Sequence, residues 1–267
     1  MRKTHIIETA HALADAARTA ILPWFRASEL HAESKDSKDF DPVTQADRAA
    51  EAVMRDILAL RCPDDAIIGE EFGRQRGTSG LTWVLDPIDG TRGFVAGTPT
   101  WGVLISVADD TGPIYGIIDQ PYIGERFEGG LGMSQVLGPL GKKRLSVRGS
   151  RPLSQSVLFT TFPRVGTEQD MLAFQAVSES VRFTRYGMDC YAYALLAAGQ
   201  LDLVIEAGLS VYDIQAPIAV IEAAGGIVTD WLGGSPHQGG RVLAAAGKEQ
   251  HEAALEILSS MVEENTP

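Results

Sequence analysis

Apolar positions at the start of the chain recur with the spacing of a helix. Between residues 5 and 25 they fall every three or four positions, from Ile6 to Trp24, which predicts an amphipathic helix. The same spacing predicts a second helix over about 45–60. The segment between them, 33–39, is polar, mixed in charge and without periodicity, and we interpret it as a loop.

Short apolar runs separated by turn residues follow these helices, and such runs are typical of strands. The predicted strands lie at 66–68, 83–85, 101–107, 114–119, 125–128, 144–147 and 157–161. The turn at 109–112 joins two of them as a hairpin. We therefore expect helices packed against a largely antiparallel, hairpin-rich sheet in this part of the chain.

From about residue 167 the pattern changes to alternating helices and strands, which is typical of a layered α/β arrangement with some parallel pairing. The predicted helices lie at 167–180, 189–199, 213–224 and 248–262, and the predicted strands at 201–206, 226–229 and 242–245. No linker rich in Pro, Gly or Ser separates the two parts. We expect two closely packed halves, 1–165 and 166–267, that form one compact unit with the site between them.

Composition narrows the class of protein. In 267 residues, 45% are hydrophobic and 22% charged, which is ordinary for a globular domain, and no apolar run approaches the ~20 residues that span a bilayer. A net charge of −12 argues against nucleic acid or an anionic membrane as a partner. The N-terminus lacks the apolar segment of a signal peptide, and Cys62 and Cys190 are the only cysteines. We expect reduced thiols and a cytoplasmic protein, although a disulfide between the two stays open.

The most informative segment is Asp86-Pro87-Ile88-Asp89-Gly90-Thr91, which follows the apolar run 83–85. Pro87 cannot donate a ladder hydrogen bond, so strand pairing is expected to stop there. Two carboxylates three positions apart repel each other unless a cation lies between them, and a divalent metal suits that position. Gly90 and Thr91 can turn backbone amides toward an anion. The alternative is a β-turn whose aspartates cap backbone amides.

Four acidic residues share one setting, the end of a predicted strand or the start of a predicted helix. They are Glu70, Asp86, Asp89 and Asp213. Taken singly, each is better explained as a cap or a surface residue. Together they offer the oxygen ligands that Mg²⁺ prefers, and the sequence has no Cys or His cluster for a softer metal. Bound cations would also allow an acidic protein to accept an anionic substrate, as a metal-dependent phosphatase does.

Four motifs resemble the signatures of the inositol monophosphatase family, in the family's order. They are Asp41-Pro42-Val43-Thr44-Gln45-Ala46-Asp47, Gly69-Glu70-Glu71, Asp86-Pro87-Ile88-Asp89-Gly90-Thr91, and Tyr212-Asp213 with Glu222-Ala223-Ala224-Gly225-Gly226. The resemblance implies an α/β (α+β) protein with a layered αβαβα sandwich, commonly a homodimer. It also implies hydrolysis of small-molecule phosphate monoesters with two or three Mg²⁺ ions per site.

The resemblance assigns roles to individual residues as well. The metal ligands would be Glu70, Asp86, the carbonyl of Ile88, Asp89 and Asp213. Asp47 and Thr91 would orient the attacking water together with Glu70, with the Thr91 hydroxyl donating to Asp47. The amides of Gly90 and Thr91 would contact the phosphate. The alternative for Asp47 is a plain first-turn position in its helix.

Substrate choice depends on a different part of the sequence. The segments 185–193 and 202–206, together with Arg92, resemble the histidinol-phosphatase branch of the family. Histidinol phosphate carries an ammonium group and an imidazole, and Asp189 and Glu206 offer carboxylates for charge-assisted hydrogen bonds to them. Inositol presents only hydroxyls, against which a buried carboxylate is costly. The alternative for Asp189 is the N-cap of the following helix.

We therefore expect a Mg²⁺-dependent phosphomonoesterase that hydrolyses L-histidinol phosphate, as in histidine biosynthesis. The expected substrate-binding residues are Asp189, Glu206, Arg92 and Arg185. The first alternative is an inositol monophosphatase or another phosphatase for small phosphomonoesters. The second is a non-catalytic protein that keeps the fold and binds phosphate.

Overall fold

The computed structural model of the protein describes residues 2–27, 32–34 and 42–263. The helices are α1 (Arg2–Ile21), α2 (Gln45–Arg61), α3 (Thr91–Ala96), α4 (Glu168–Ser180), α5 (Cys190–Ala197), α6 (Val211–Ala223) and α7 (Lys248–Glu263). The strands are β1 (Ala32–Ser34), β2 (Pro42–Thr44), β3 (Ala66–Gly69), β4 (Gly73–Gln75), β5 (Thr82–Asp89), β6 (Gly102–Asp109), β7 (Gly112–Gln120), β8 (Glu125–Gly130), β9 (Met133–Gly138), β10 (Gly141–Arg144), β11 (Val157–Thr160), β12 (Phe183–Tyr186), β13 (Leu203–Leu209), β14 (Ile227–Thr229) and β15 (Gly240–Ala245). Residues 35–39 of the predicted loop, and Asp41 of the first motif, lie outside the described residues.

Two sheets and three sets of helices alternate as layers. The large sheet has the strand order β10-β9-β8-β7-β6-β5-β3-β4 and is antiparallel except between β3 and β5. The small sheet has the order β12-β11-β13-β15-β14, with parallel pairing of β11 to both its neighbours. Helices α1 and α2 cover the large sheet, α5 and α6 lie between the sheets, and α4 and α7 pack together beside the small sheet. The predicted αβαβα fold is confirmed.

Alternation along single strands connects these layers. In β6, Val103 and Ile105 point into the core under α1, whereas Leu104 points into the core around α5 and α6. In β13, Leu203 faces the core beside α4 and α7, and Val204 faces the central one. Because successive side chains of a strand project to opposite faces, strands buried on both faces need apolar residues throughout. This explains the continuous apolar runs of the sequence.

The prediction that pairing stops at Pro87 is wrong. Strand β5 continues through the proline, and Asp89 pairs with Gly102 of β6 after a register shift beyond Asp86. A bulge leaves unpaired positions in one strand, which accommodates a residue that cannot donate. It also redirects the side chains at the end of β5.

Other element boundaries differ from the sequence predictions. Helix α1 ends at Ile21 rather than near residue 25. The strand expected at 144–147 is wrong, because β10 lies earlier, at Gly141–Arg144, and is exposed throughout. A polar edge strand lacks the apolar alternation on which the prediction rested. The short elements α3, β4, β9 and β12 escaped the sequence pattern for similar reasons of length or polarity. Both cysteines are free thiols.

Helix α6 lies against the large sheet so closely that glycine is required beneath it. A Cβ atom on Gly129 of β8 would lie 2.5 Å from the carbonyl oxygen of Ala219 and from the Cα atom of Val220. Helix α6 comes from the part of the chain after residue 166, and the strands beneath it come from the part before 165. This contact therefore fixes how the two parts meet.

We predict that Gly129→Ala lowers the free energy of unfolding by about 1–3 kcal/mol, because the helix backbone must move away from the added methyl group. Thermal unfolding of the purified variant measures the change. Gly149→Ala is the control, because a Cβ there meets nothing within 4 Å. Equal melting temperatures for the two variants would contradict the close packing of α6.

Candidate active site

Three carboxylates converge where β5 ends and α6 begins. Asp86 and Asp89 flank the bulge of β5, and Asp213 lies in the first turn of α6. One carboxylate oxygen from each of the three lies within 4.8 Å of the others. Asp213 is held in place by the start of its own helix, since the amide of Ser210 donates to its Oδ2 at 2.6 Å. The sequence predicted these residues as a group, and the structure brings them together.

Burial and mutual repulsion raise the pKa values of two of these carboxyls. The pKa of Asp86 is raised first by burial and then by the negative charges of Glu70, Asp89 and Asp213. The pKa of Asp89 is raised by burial and then by Asp189 and Asp213. The Oδ1 atom of Asp86 is buried without a hydrogen-bond partner among the described residues. Repelling carboxylates and an unpartnered buried oxygen are the features that a hard divalent cation satisfies.

Glu70 is the first residue after β3, the strand that pairs with β5 in parallel. Its amide donates to the carbonyl of Leu85 at 3.2 Å, which continues the parallel pairing of the two strands. Parallel neighbours end at the same edge of a sheet, so Glu70 follows its strand at the edge where Asp86 lies. The negative charge of Glu70 contributes to the raised pKa of Asp86.

Glu51 of α2 fixes the turn that carries Glu70, and the sequence analysis missed it. Its carboxylate is buried and accepts hydrogen bonds from the amides of Glu71 at 2.7 Å and Phe72 at 3.2 Å. A Cβ at Gly69 would lie 2.0 Å from its Oε1, so only glycine fits there. The available signal was the position of Glu51 one helical turn after Asp47.

The Gly90-Thr91 turn follows Asp89 and opens the short helix α3. Gly90 has a φ of 83°, in the left-handed region that favours glycine. The Thr91 hydroxyl donates to the carbonyl of Ile88 at 3.1 Å, whereas the sequence analysis expected Asp47 as its acceptor. Asp47 itself is 1% exposed and lies in the first turn of α2.

Asp189 packs directly onto this turn. A Cβ on Gly90 would lie 2.8 Å from the Cβ of Asp189, so the approach depends on glycine. Asp189 has a φ of 47°, which is strained for a residue other than glycine. It occupies the N-cap position of α5, as the alternative prediction had it, but its side chain makes no capping hydrogen bond. Its Oδ2 instead accepts from the hydroxyl of Thr100 at 3.1 Å.

The first amide of α5 links Asp189 to the carboxylate cluster. The amide of Cys190 donates to Oδ2 of Asp89 at 2.6 Å. Burial raises the pKa of the Asp189 carboxyl, while the hydrogen bond from Thr100 and the charge of Arg92 lower it in part. One backbone step therefore connects a carboxylate of the cluster with a carboxylate outside it.

A cavity of about 300 Å³ brings most of the predicted site residues together. Its wall includes Asp89, Gly90, Thr91, Arg92, Asp189, Glu206 and Asp213. Glu206 is 8% exposed, and the amide of Thr161 donates to its Oε1 at 2.6 Å. Burial raises the pKa of Glu206 to about 7. Acidic groups of the metal-type cluster and two further carboxylates thus line one cavity.

One predicted substrate residue does not reach this cavity. Arg185 lies exposed on the edge strand β12 and is not among the described residues of the cavity wall. The prediction placed it by its position in the sequence segment, whereas β12 is the edge strand of the small sheet and β11 separates it from β13, which carries Glu206. The cavity includes Tyr193 and Phe162 instead, which the sequence analysis did not select. Tyr193 ends the segment 185–193 that carries the resemblance to the histidinol-phosphatase branch, whereas nothing in the sequence around Phe162 indicated a site.

The family model for the inositol monophosphatase family matches residues 2–263. The chain belongs to this family. Inositol monophosphatase family proteins are phosphatases of small phosphate monoesters and are generally metal dependent, in agreement with the carboxylate cluster. Among the described residues, no helix is long and apolar enough to cross a membrane.

Relatives within the family differ in their substrates. The chain is 41% identical over 259 residues to bifunctional phosphatase IMPL2, chloroplastic, of Arabidopsis thaliana, covering 93% of this chain and 73% of the relative. It is 35% identical over 243 residues to the histidinol-phosphatase of Mycobacterium tuberculosis, covering 88% and 91%. The solved structure of an inositol monophosphatase from Zymomonas mobilis superimposes with a TM-score of 0.84 at 39% identity, covering 95% and 97%. These matches leave the substrate of this family member open.

We predict that Asp86→Asn raises the melting temperature of the metal-free protein and removes its stabilisation by Mg²⁺. The pKa of Asp86 is raised in the folded state, so its favourable contribution to folding is present at low pH and is lost as pH rises. The advantage of the variant should therefore grow above about pH 4. For the wild type, Mg²⁺ at a hundred times its dissociation constant should add about 2.7 kcal/mol.

Thermal unfolding with and without Mg²⁺ measures both effects. Asp110→Asn is the control, because Asp110 is an exposed aspartate of the β6–β7 turn. Equal stabilisation of Asp86→Asn and wild type by Mg²⁺ would remove Asp86 from the metal site.

Proposed function

We propose that this phosphatase is a Mg²⁺-dependent histidinol-phosphatase, which hydrolyses L-histidinol phosphate to L-histidinol and inorganic phosphate. The observation that carries the proposal is the second pair of carboxylates, Asp189 and Glu206, in the same cavity as Asp89 and Asp213. The 35% identity to a histidinol-phosphatase supports it. A homodimer, a cytoplasmic location and a site between two halves, 1–165 and 166–267, belong to the same proposal.

The position of Asp189 suits recognition of the alcohol part of the substrate. The carboxylate lies against Gly90, whose amide is proposed to contact the phosphate, so it stands beside the point where the ester oxygen must emerge. Strained backbone is retained mainly where function requires it, and the φ of Asp189 is positive. An ammonium group of the substrate would form a charge-assisted hydrogen bond there.

Glu206 supplies a second carboxylate on the wall of the same cavity. Its burial raises its pKa to about 7, so the carboxyl is about half protonated at neutral pH. A cationic group entering the cavity favours the charged form and lowers this pKa. An inositol ring offers no positive charge and would leave the buried carboxylates uncompensated.

The residues that would hold Mg²⁺ are Glu70, Asp86, the Ile88 carbonyl, Asp89 and Asp213, with two or three ions as the resemblance implies. When bound, Mg²⁺ supplies charge neutralisation for the phosphate and greater acidity for water. The amides of Gly90 and Thr91 contact the phosphate oxygens.

Glu70, Asp47 and Thr91 orient the attacking water. The water gives its proton to Oγ1 of Thr91, and the Thr91 hydroxyl gives its own proton to Asp47. The structure directs this hydroxyl to the Ile88 carbonyl. The proposal therefore requires the hydroxyl to change acceptor when that carbonyl serves as a ligand, because a hydroxyl has one proton to donate.

We predict Mg²⁺-dependent release of phosphate from L-histidinol phosphate with a higher kcat/KM than from inositol 1-phosphate. Asp189→Asn should lower kcat/KM for histidinol phosphate about tenfold to hundredfold, because it removes a charge-assisted hydrogen bond. Asparagine has the same shape as aspartate and is among the residues found most often at positive φ, so we expect the backbone conformation to be kept, and melting curves check it.

Inositol 1-phosphate is the matched control for this variant, and its kcat/KM should change little. A wild type that prefers inositol 1-phosphate would replace the proposed substrate and keep the proposed metal site. Equal losses on both substrates would remove Asp189 from recognition of the ammonium group.

We also predict that Glu206 makes substrate binding depend on pH. Because its pKa is about 7, the charged form rises from about a tenth at pH 6 to about nine tenths at pH 8. The ratio of KM for Glu206→Gln to KM for the wild type, measured with histidinol phosphate, should therefore rise several-fold over this range. The substrate's own ionisations cancel in this ratio. A ratio that stays constant from pH 6 to 8 would contradict the role of Glu206.

A further inference from the structure

Phe162 stands on the cavity wall although packing does not explain it. It follows β11, lines the same cavity as Asp189 and Glu206, and is 44% exposed. It belongs to none of the three apolar clusters formed by the described residues. A large aromatic side chain at the mouth of a polar cavity is more typical of ligand contact than of core packing.

The backbone beside Phe162 is held from two directions. The amide of Thr161 donates to Oε1 of Glu206 at 2.6 Å. The amide of Gly187 donates to the carbonyls of Thr160 and Thr161, each at 3.1 Å. Phe162 therefore directly follows the residue whose amide binds Glu206, the carboxylate that is proposed to receive a cationic group.

Arg92, another residue of the cavity wall, contacts the ring of Phe162. Its guanidinium carbon lies 5.0 Å from the centroid of the Phe162 ring, within the distance of a cation–π contact. Arg92 comes from α3, directly after the Gly90-Thr91 turn, whereas Phe162 comes from the small-sheet part of the chain. The contact therefore joins two segments of the cavity wall, one next to the proposed phosphate turn and one next to the residue that binds Glu206.

We propose that Phe162 is a specificity-determining residue that offers its ring as a platform for a flat, electron-poor ring in the alcohol part of the substrate. Under the function proposed above, on which this inference rests, that ring is the imidazole of histidinol phosphate. Flat rings stack on an aromatic face, and the face attracts positive charge. The puckered, polyhydroxylated ring of inositol gains little from such a face, so Phe162 selects between the two alcohols.

The test is Phe162→Leu, which keeps an apolar side chain of similar reach and removes the aromatic face. We expect KM for histidinol phosphate to rise roughly tenfold with kcat nearly unchanged, and KM for inositol 1-phosphate to stay within about twofold. Calorimetric titration with L-histidinol, which involves no turnover, should show the same loss of affinity. Phe162→Tyr keeps the aromatic face and should retain the wild-type KM.

Phe183→Leu is the matched control, since Phe183 is 46% exposed on β12 and lies outside the described cavity wall. It should leave both KM values unchanged. Melting curves check that each variant folds, and Phe162→Met, also apolar and non-aromatic, serves as a second variant if Phe162→Leu does not fold. It should show the same rise in KM.

The outcomes separate the two proposals. A wild type that prefers histidinol phosphate, combined with an unchanged KM in Phe162→Leu or with an equal rise for both substrates, overturns the platform and keeps the proposed function. A wild type without that preference overturns the proposed function, and the imidazole platform with it.

Discussion

The repulsion between buried carboxylates at the junction of β5 and α6 is the constraint on which the rest of the structure depends. Asp86, Asp89 and Asp213 bring oxygen atoms within 4.8 Å in a place where burial already disfavours their charge. Such a cluster persists only if the surrounding backbone is held firmly. The bulge in β5, the capping box at Ser210 and the close approach of α6 to Gly129 provide that support. Each of these features fixes the backbone that carries one of the three carboxyl groups or packs beside it, so the groups stay close together in the folded protein although they repel each other.

The cavity beside this cluster contains two further carboxylates, Asp189 and Glu206. Both are largely shielded from water, and burial raises their pKa values as well. The backbone step from Asp189 to Cys190 connects Asp189 to the cluster, because the Cys190 amide donates to Asp89. Under the proposed function, a metal would neutralise Asp89 and Asp213, and a cationic alcohol would neutralise Asp189 and Glu206 in the same cavity. A substrate with a phosphate and an ammonium group complements this arrangement in both signs of charge.

The sequence predicts much of this arrangement because the cluster depends on residue types that carry a strong signal. The layered fold follows from strand and helix periodicity, and the acidic positions follow from their places at element ends. What escapes prediction depends on packing between distant segments. Glu51 binds the backbone amides that follow Glu70, and the hydroxyl of Thr100 binds Asp189. Phe162 joins the cavity wall because the small sheet packs next to the Gly90-Thr91 turn, which its own sequence does not indicate. Arg185 shows the reverse error, because a residue close to the motif in sequence lies exposed on the edge strand β12, outside the cavity wall.

Gly90 explains how one metal site is combined with different alcohol pockets. Its positive φ shapes the turn after the cluster, and its missing Cβ leaves room for the side chain of Asp189. Under the proposed function, the first property would shape the phosphate-binding turn and the second would place Asp189 beside the alcohol part of the substrate. A relative with glycine at this position can therefore form the same turn, whichever residue stands at the position of Asp189 before α5. Recognition of the alcohol is then decided by segments that the cluster does not constrain, namely the start of α5 and the loop after β11. Function in this fold is set by such additions around a fixed centre.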